Sequence, residues 1–208
     1  MLISDSHQFV FVHIRKAAGT SLRQILEQHA LAKNNNPWYK FLSRNGVSVN
    51  YRKYSFRKHA GLIEAERSMP GDKFKHYFKF AIVRNPWDRL VSEYEYIKTQ
   101  PSHSRFKKLS GMDFAQYVNY QSTRPAAHQV NALKLKNGQL GCDFVGKLET
   151  LEQSLKMVGA KLGIEFSKLP HVNQVNRRDY RTYYNNNLVE SVAQLWHADI
   201  KAFDYQFE

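Results

Sequence analysis

The chain has 208 residues, 42% of them hydrophobic, which is enough for one folded domain with a real core and too many for a disordered chain. Its 31 Lys and Arg outnumber 18 Asp and Glu, and the resulting net charge of +13 favours anionic partners (nucleotides, acidic glycans, nucleic acid, a membrane surface) without choosing among them. A single cysteine, Cys142, excludes an intrachain disulfide; no run reaches the roughly 18 apolar residues of a membrane span, and the start MLISDSHQFVFVH lacks the pattern of a signal peptide, so a cytoplasmic location is expected.

The first predicted element is a buried strand, Phe9-Val10-Phe11-Val12, rich in aromatic and β-branched residues. A helix follows, with Leu22, Ile25 and Leu26 at helical spacing. Between them lies Arg15-Lys16-Ala17-Ala18-Gly19-Thr20-Ser21. Small residues and Gly19 let the backbone turn tightly and approach a ligand. The helix start offers unpaired N–H groups and the positive end of a dipole, Lys16 adds a point charge, and Thr20 and Ser21 add hydroxyls. The stretch predicts a phosphate or sulfate cradle, with an ordinary strand-to-helix turn as the alternative. It is not the common nucleotide loop, G-x-x-x-x-G-K-[ST], because here the lysine precedes the glycine.

Lys33 to Pro37 is a break. Residues 37–58 mix aromatics with Arg and Lys, and Asn45-Gly46 predicts a turn with a short hairpin around it. The segment either lines a groove for a sugar chain or single-stranded nucleic acid, or packs its aromatics on the core. After His59 comes a short helix over 62–67, stopped before Pro70-Gly71. Phe78 to Val83 is a second strand, ending in Arg84. Asn85 suits a helix cap, Pro86 the first helical position and Asp88 a capping box, while Leu90, Val91, Tyr94 and Ile97 form the apolar stripe. Arg84 therefore stands at a strand end, where ligands of open α/β sheets gather. Ser92, about two helical turns after Asn85, returns to nearly the same face, so Arg84 and Ser92 can grip one phosphate together. The alternative for Arg84 is a structural salt bridge.

Residues 100–111 form a basic loop, and Asp113 caps a helix running to Tyr120. Arg124-Pro125 breaks it, 129–136 reads as helical and Asn137-Gly138 as a turn. Cys142 reads as a packed residue rather than a nucleophile. Phe144 to Glu149 is a strand and its exit; Thr150-x-x-Gln153 predicts a capping box for a helix on Leu151, Leu155, Val158 and Leu162, stopped by Gly163. Residues 169–180 are polar and aperiodic and carry Arg177 and Arg178, either further grips on phosphate or a solvated surface pair. A last helix is predicted from Asn187, with Val189, Val192, Leu195, Trp196 and Phe203 in the core.

The strand ends separate two kinds of chemistry. Phosphoryl transfer on a P-loop needs Mg²⁺ held by the loop and by an acidic strand-end residue. Here the strand ends in cationic Arg84, with Leu148-Glu149 as the exception. A sulfuryl group carries less negative charge, and Lys16, backbone N–H groups and hydroxyls suffice to stabilise it, so no metal is expected. The nine histidines have no metal-ligand spacing. An acceptor hydroxyl needs a base, and histidine suits neutral pH. His59 is the first candidate and His13 its rival; His128 and His171 are weaker ones.

FVHIRKAAGTSL resembles the 5′-phosphosulfate loop of sulfotransferases of the carbohydrate branch, with Arg15 where that family usually has Pro. AIVRNPWDRLVSEY is similar to the family's 3′-phosphate motif, which Arg84 and Ser92 match in spacing. DFVGKLETLEQSL resembles the segment that passes the adenine, with Leu148 where an aromatic is frequent, and residues 169–180 resemble a loop that folds over the nucleotide. Lys58-His59-Ala60 resembles the corresponding stretch of bacterial members. The resemblance runs from Phe9 to about Phe207. It implies one domain, 1–208, with a three-layer, P-loop-like α/β sulfotransferase fold: a central, mainly parallel sheet flanked by helices. It implies in-line transfer from 3′-phosphoadenosine 5′-phosphosulfate (PAPS) to a hydroxyl of a carbohydrate or glycoconjugate, leaving 3′,5′-adenosine bisphosphate (PAP). Catalysis would fall to His59 and Lys16, and the donor to Arg15, Lys16, Ala18, Gly19, Thr20, Ser21, Arg84, Ser92, Leu148, Arg177 and Arg178. The lack of a membrane anchor fits a soluble bacterial form, with peripheral membrane contact open and no specific nucleic acid expected. Residues 33–58 and 99–125, least like the family, are where acceptor choice should lie. A Mg²⁺-dependent nucleotide kinase on the same fold, and a non-catalytic binder of nucleic acid or acidic glycan, are the alternatives.

Overall fold

The computed structural model describes residues 1–32, 36–45, 47, 49–53, 56–166 and 178–208. Four strands, β1 (Leu2–Ser4), β2 (Phe9–Val12), β3 (Phe78–Val83) and β4 (Phe144–Lys147), form one sheet in the order β1-β2-β3-β4. β1 is antiparallel to β2, whereas β2, β3 and β4 run parallel in the registers Val12↔Ala81 and Val83↔Lys147. Their carboxyl ends therefore open on one edge of the sheet, which places the loop after Val12, Arg84 after Val83 and Leu148 after Lys147 along the same edge.

The helices are α1 (Gly19–Leu26), α2 (Pro37–Arg44), α3 (Leu62–Ser68), α4 (Gly71–His76), α5 (Pro86–Lys98), α6 (Phe106–Leu109), α7 (Phe114–Ser122), α8 (Gln129–Leu133), α9 (Leu151–Leu162), α10 (Asn186–Leu195) and α11 (His197–Phe203). Strand side chains alternate between two faces, so the parallel strands feed two cores. Phe9, Phe11, Phe80 and Ile82 meet Leu22 and Leu26 of α1 and Leu155, Val158 and Leu162 of α9. On the other face Val10, Val12, Ala81 and Val83 join a larger core with Leu62 of α3, Leu90 and Ile97 of α5, Tyr117 of α7, Leu133 of α8 and Trp196. Helices thus cover both faces of the sheet, as the resemblance implies. No helix among the described residues is long and apolar enough to cross a membrane.

Several local expectations hold: Asn85 accepts a hydrogen bond from the Trp87 N–H, Asp113 and Gln116 form a capping box, and Gly163 ends α9 at φ 66°. Others fail. Residues before Asn45 are helical in α2 rather than one arm of a hairpin, because Pro37 opens a helix as readily as it ends a loop. α8 stops at Leu133, and Lys134 bridges to Leu140 across the Asn137-Gly138 turn. Thr150 makes no side-chain cap bond, since a short 3₁₀ turn over Leu148–Thr150 already leads the chain into α9. The last helix is two: α10 is capped by Asn185 on the Leu188 N–H, the chain bends at Trp196, and α11 follows. Leu195 stays 44% exposed, so it is not core.

Candidate active site

The loop after β2 turns through Lys16 and Ala18, both left-handed at φ 61° and 53°. Non-glycine residues rarely adopt this region, and two of them in one short loop indicate a backbone that the surroundings hold in place. Alternation of this kind points successive N–H groups into a common concavity. The glycine has a different task from the one its sequence suggests. Gly19 does not supply the positive φ; a Cβ there would lie 2.1 Å from His13 Cδ2. The missing side chain is what lets the His13 ring lie against the start of α1. The first backbone bond of that helix runs from the Leu22 N–H to the Ala18 carbonyl at 3.2 Å, so the amides of Gly19, Thr20 and Ser21 have no acceptor within the helix. Ser21 is buried, and Lys58 Nζ donates to Thr20 Oγ1 at 3.4 Å. Lys58 brings to the helix start a cation that the sequence reading had not placed there.

His59 docks on the same loop. Its Nδ1 lies 3.0 Å from the His13 carbonyl, and the two rings meet edge-on at 4.6 Å. A carbonyl only accepts, so Nδ1 carries the proton and Nε2 keeps its lone pair. Desolvation on the side facing His13, followed by the charges of Arg15 and Lys58, outweighs that bond and draws His59 down to about 4, although the residue as a whole remains exposed. His13 is buried and falls to about 2, again chiefly by desolvation, and its Nδ1 has no partner among the described residues. Of the two rivals, His59 is therefore the one with solvent access, and His13 is the one that supports it. His128 lies away from this pair, stacked on Trp196 at 5.4 Å. His171 and Arg177 lie outside the described residues.

The β3 end joins this loop directly. Arg84 Nη1 donates to the Lys16 carbonyl at 3.0 Å, while Nε and Nη2 both reach Asp88 Oδ2 at 2.7 Å. Asp88, expected in a capping box, is thus engaged by Arg84 instead, four residues earlier on the same helical face. The Arg84 salt bridge and the meeting of the two strand ends both occur. Gln129 clamps the Arg84 backbone from α8, accepting from its N–H at 3.0 Å and donating to its carbonyl at 2.8 Å. The Asn85 N–H donates to Glu149 Oε1 at 2.7 Å and the Tyr205 hydroxyl to Glu149 Oε2 at 3.0 Å. Both oxygens of the acidic strand-end residue thus have structural partners. Ser92 is buried on α5, and Leu148 packs against the smaller core.

Lys16 Nζ rests 4.0 Å from the centroid of the Tyr96 ring, a cation–π contact from α5 that the sequence did not reveal. Arg178 is exposed and lines a groove with Tyr94, Lys98, Phe114 and Tyr183. Cys142 has its thiol pushed up to about 12, first by burial and then by Asp143, which fits a packed residue. Asp88 as partner of Arg84 was readable from its spacing. Gln129, Tyr96 and Lys58 were not, because each meets its partner through the tertiary fold, at least 38 residues away in the chain.

Comparison with known proteins agrees with this geometry. The model of the family described as "Sulfotransferase family" matches residues 1–206. Carbohydrate sulfotransferase 9 of Homo sapiens is 24% identical over 245 residues, covering 98% of this chain and 52% of that protein. Carbohydrate sulfotransferase 14 of Danio rerio is 25% identical, covering 80% of this chain and 50% of that protein. The chain therefore spans about half the length of these curated relatives. A solved structure of mouse sulfotransferase SULT7A1, complexed with PAP, superposes with a TM-score of 0.59 at 13% identity, over 98% of this chain and 88% of that one.

Proposed function

This chain belongs to the sulfotransferase family, and from that membership we propose that it is a cytoplasmic enzyme that transfers a sulfuryl group from PAPS to a hydroxyl of a carbohydrate or glycoconjugate. The observation that carries the reading is the 3.0 Å bond from Arg84 to the Lys16 carbonyl, which holds together the segments after two strands, 68 residues apart in the chain. The donor set suits a nucleotide with phosphates at two ends. At one end are Arg15, Lys16, Ala18 and the amides and hydroxyls of Gly19, Thr20 and Ser21; at the other are Arg84 and Ser92, with Leu148 beside the base and Arg178 at the rim. PAPS supplies the sulfuryl group and, in its 5′-phosphate, the leaving group. Lys16 Nζ and the free amides of α1 neutralise the charge that develops on the bridging oxygen. His59 Nε2 takes the acceptor proton while Nδ1 stays anchored on the His13 carbonyl. The acceptor comes from the carbohydrate class of the curated relatives.

The test is incubation with ³⁵S-labelled PAPS and a panel of oligosaccharides, with PAP binding measured in parallel. Transfer that disappears in Lys16→Ala while the fold persists supports the reading. Undiminished turnover in both Lys16→Ala and Arg84→Ala would rule it out.

A further inference from the structure

Lys58 and His59 are consecutive residues, and they meet the loop after β2 at its two ends. His59 Nδ1 donates to the His13 carbonyl, at the entrance of the loop, at 3.0 Å. Lys58 Nζ donates to Thr20 Oγ1, at the start of α1, at 3.4 Å. One dipeptide therefore spans the turn whose amides, those of Gly19, Thr20 and Ser21, lack acceptors within the helix. Lys16 serves the bridging oxygen of the donor and His59 the acceptor proton; Lys58 has a part in neither.

A hydroxyl is a weak partner for an ammonium, and Lys58 makes no ion pair among the described residues. Arg23, further along α1, gives its Nε to Glu27 Oε1 at 2.5 Å, and its buried Nη1 has no partner among the described residues. Partial desolvation, then the charge of Arg23, holds the Lys58 ammonium below its ordinary value, with Glu27 acting the other way. Lys58 thus has a flexible stem, three donors and an unmet demand for an anion, and it can exchange the hydroxyl for one. Lys16 comes from a different direction: its Nζ rests over Tyr96 of α5, whereas Lys58 enters from the segment before α3. In-line transfer offers the two cations different atoms. The bond from sulfur to the bridging oxygen breaks, and its electron pair stays on the 5′-phosphate. The bond from the acceptor oxygen to sulfur forms, and the acceptor proton passes to His59. The other three sulfuryl oxygens stay on sulfur throughout, between the phosphate that leaves and the base. Lys58 is tied to the same two places, through Thr20 at the helix start and through its peptide bond to His59.

We infer that Lys58 recognises the sulfuryl group: its ammonium leaves Thr20 Oγ1 for a sulfuryl oxygen when PAPS binds, and returns to the hydroxyl when PAP remains. Lys58 thereby separates the loaded donor from the spent product, which carry about the same charge near neutral pH and which long-range attraction does not distinguish. The inference rests on PAPS being the donor. Calorimetric titration of the full chain without acceptor compares PAPS and PAP in wild type, Lys58→Met, Lys58→Arg and Lys156→Met. The Lys156 side chain on α9 is 76% exposed, and its loss removes the same charge from another helix. Lys58→Met should lower the ratio of PAPS to PAP affinity by about tenfold, with PAP affinity changed less than about twofold. It should lower kcat by about 10²-fold, and Lys58→Arg should recover part of both. An equal loss for PAPS and PAP would place Lys58 on the phosphate and overturn the inference. The same change of ratio in Lys156→Met would overturn it too, by showing a general effect of charge. If the wild type binds both nucleotides and Lys58→Met keeps both affinities, the donor reading stands and Lys58 loses its role. If the wild type binds neither, the donor reading falls and takes the inference with it.

Discussion

The two strand-end segments joined by the Arg84–Lys16 bond are built in opposite ways. The loop after β2 is a backbone device: two left-handed residues, a glycine emptied for a histidine ring, and three amides without helical acceptors. The junction after β3 is a side-chain device in which Arg84, Asp88, Gln129, Asn85 and Glu149 are mutually bonded. Amides at a helix start that lack acceptors within the helix can be given to an anion. A junction whose groups are satisfied fixes position. The difference separates a segment whose backbone amides can meet an anion from one whose side chains hold one another, although both carry a cation near a strand end.

On that division, substitutions in or against the loop should damage chemistry, and those of the residues that only support Arg84 should be buffered. The largest effect is expected from His59→Gln, which should lower transfer by roughly 10²–10⁴-fold with PAP affinity retained; a loss confined to PAP binding would place His59 on the donor instead. Lys16→Ala should cost about 10²–10³-fold in kcat. Gly19→Ala forces a Cβ into the His13 ring and should destabilise by about 1–3 kcal/mol. His13→Ala should relieve much of that penalty, a coupling read from a double-mutant cycle of denaturant midpoints. Asp88→Asn is the small one. Arg84 keeps its bond to the Lys16 carbonyl, so PAP affinity should fall less than about tenfold; a larger drop would mean that Asp88, rather than the Lys16 carbonyl, sets where the Arg84 guanidinium lies.

Acidity sharpens the same contrast. His59 sits near 4 in the folded chain, against its ordinary value of 6.5. As the proposed base it must be unprotonated, so kcat/KM should be flat across neutral pH and decline as pH falls through about 4. Between about 4 and 6.5 the unfolded chain binds the extra proton, so His59 makes stability rise with pH over that window, and the depressed His13 adds in the same direction. Urea midpoints of wild type and His59→Gln between pH 4 and 7 would measure the difference.

Much of this was legible in the sequence. Strands β2 and β3, the Asn85 and Asp113 caps and the Gly163 stop follow from local rules, because each depends on residues within a few positions of one another. Residues that meet through the tertiary fold were not legible. Lys58 reaches Thr20, Tyr96 receives Lys16, and Gln129 clamps Arg84, each across at least 38 residues. Gly19 was found, but its reason lay in His13, whose ring direction no spacing rule gives.

The hydrogen bond from Arg84 to the Lys16 carbonyl has a consequence in time. It closes only after β3 has paired in parallel with β2, a step that must first draw together the ends of a long intervening segment, and such non-local pairing is slow. Helices that satisfy themselves locally should form well before it. During refolding, the far-ultraviolet helix signal should therefore return ahead of the ability to capture PAP; simultaneous recovery of the two would show that the cleft assembles without waiting for the crossover.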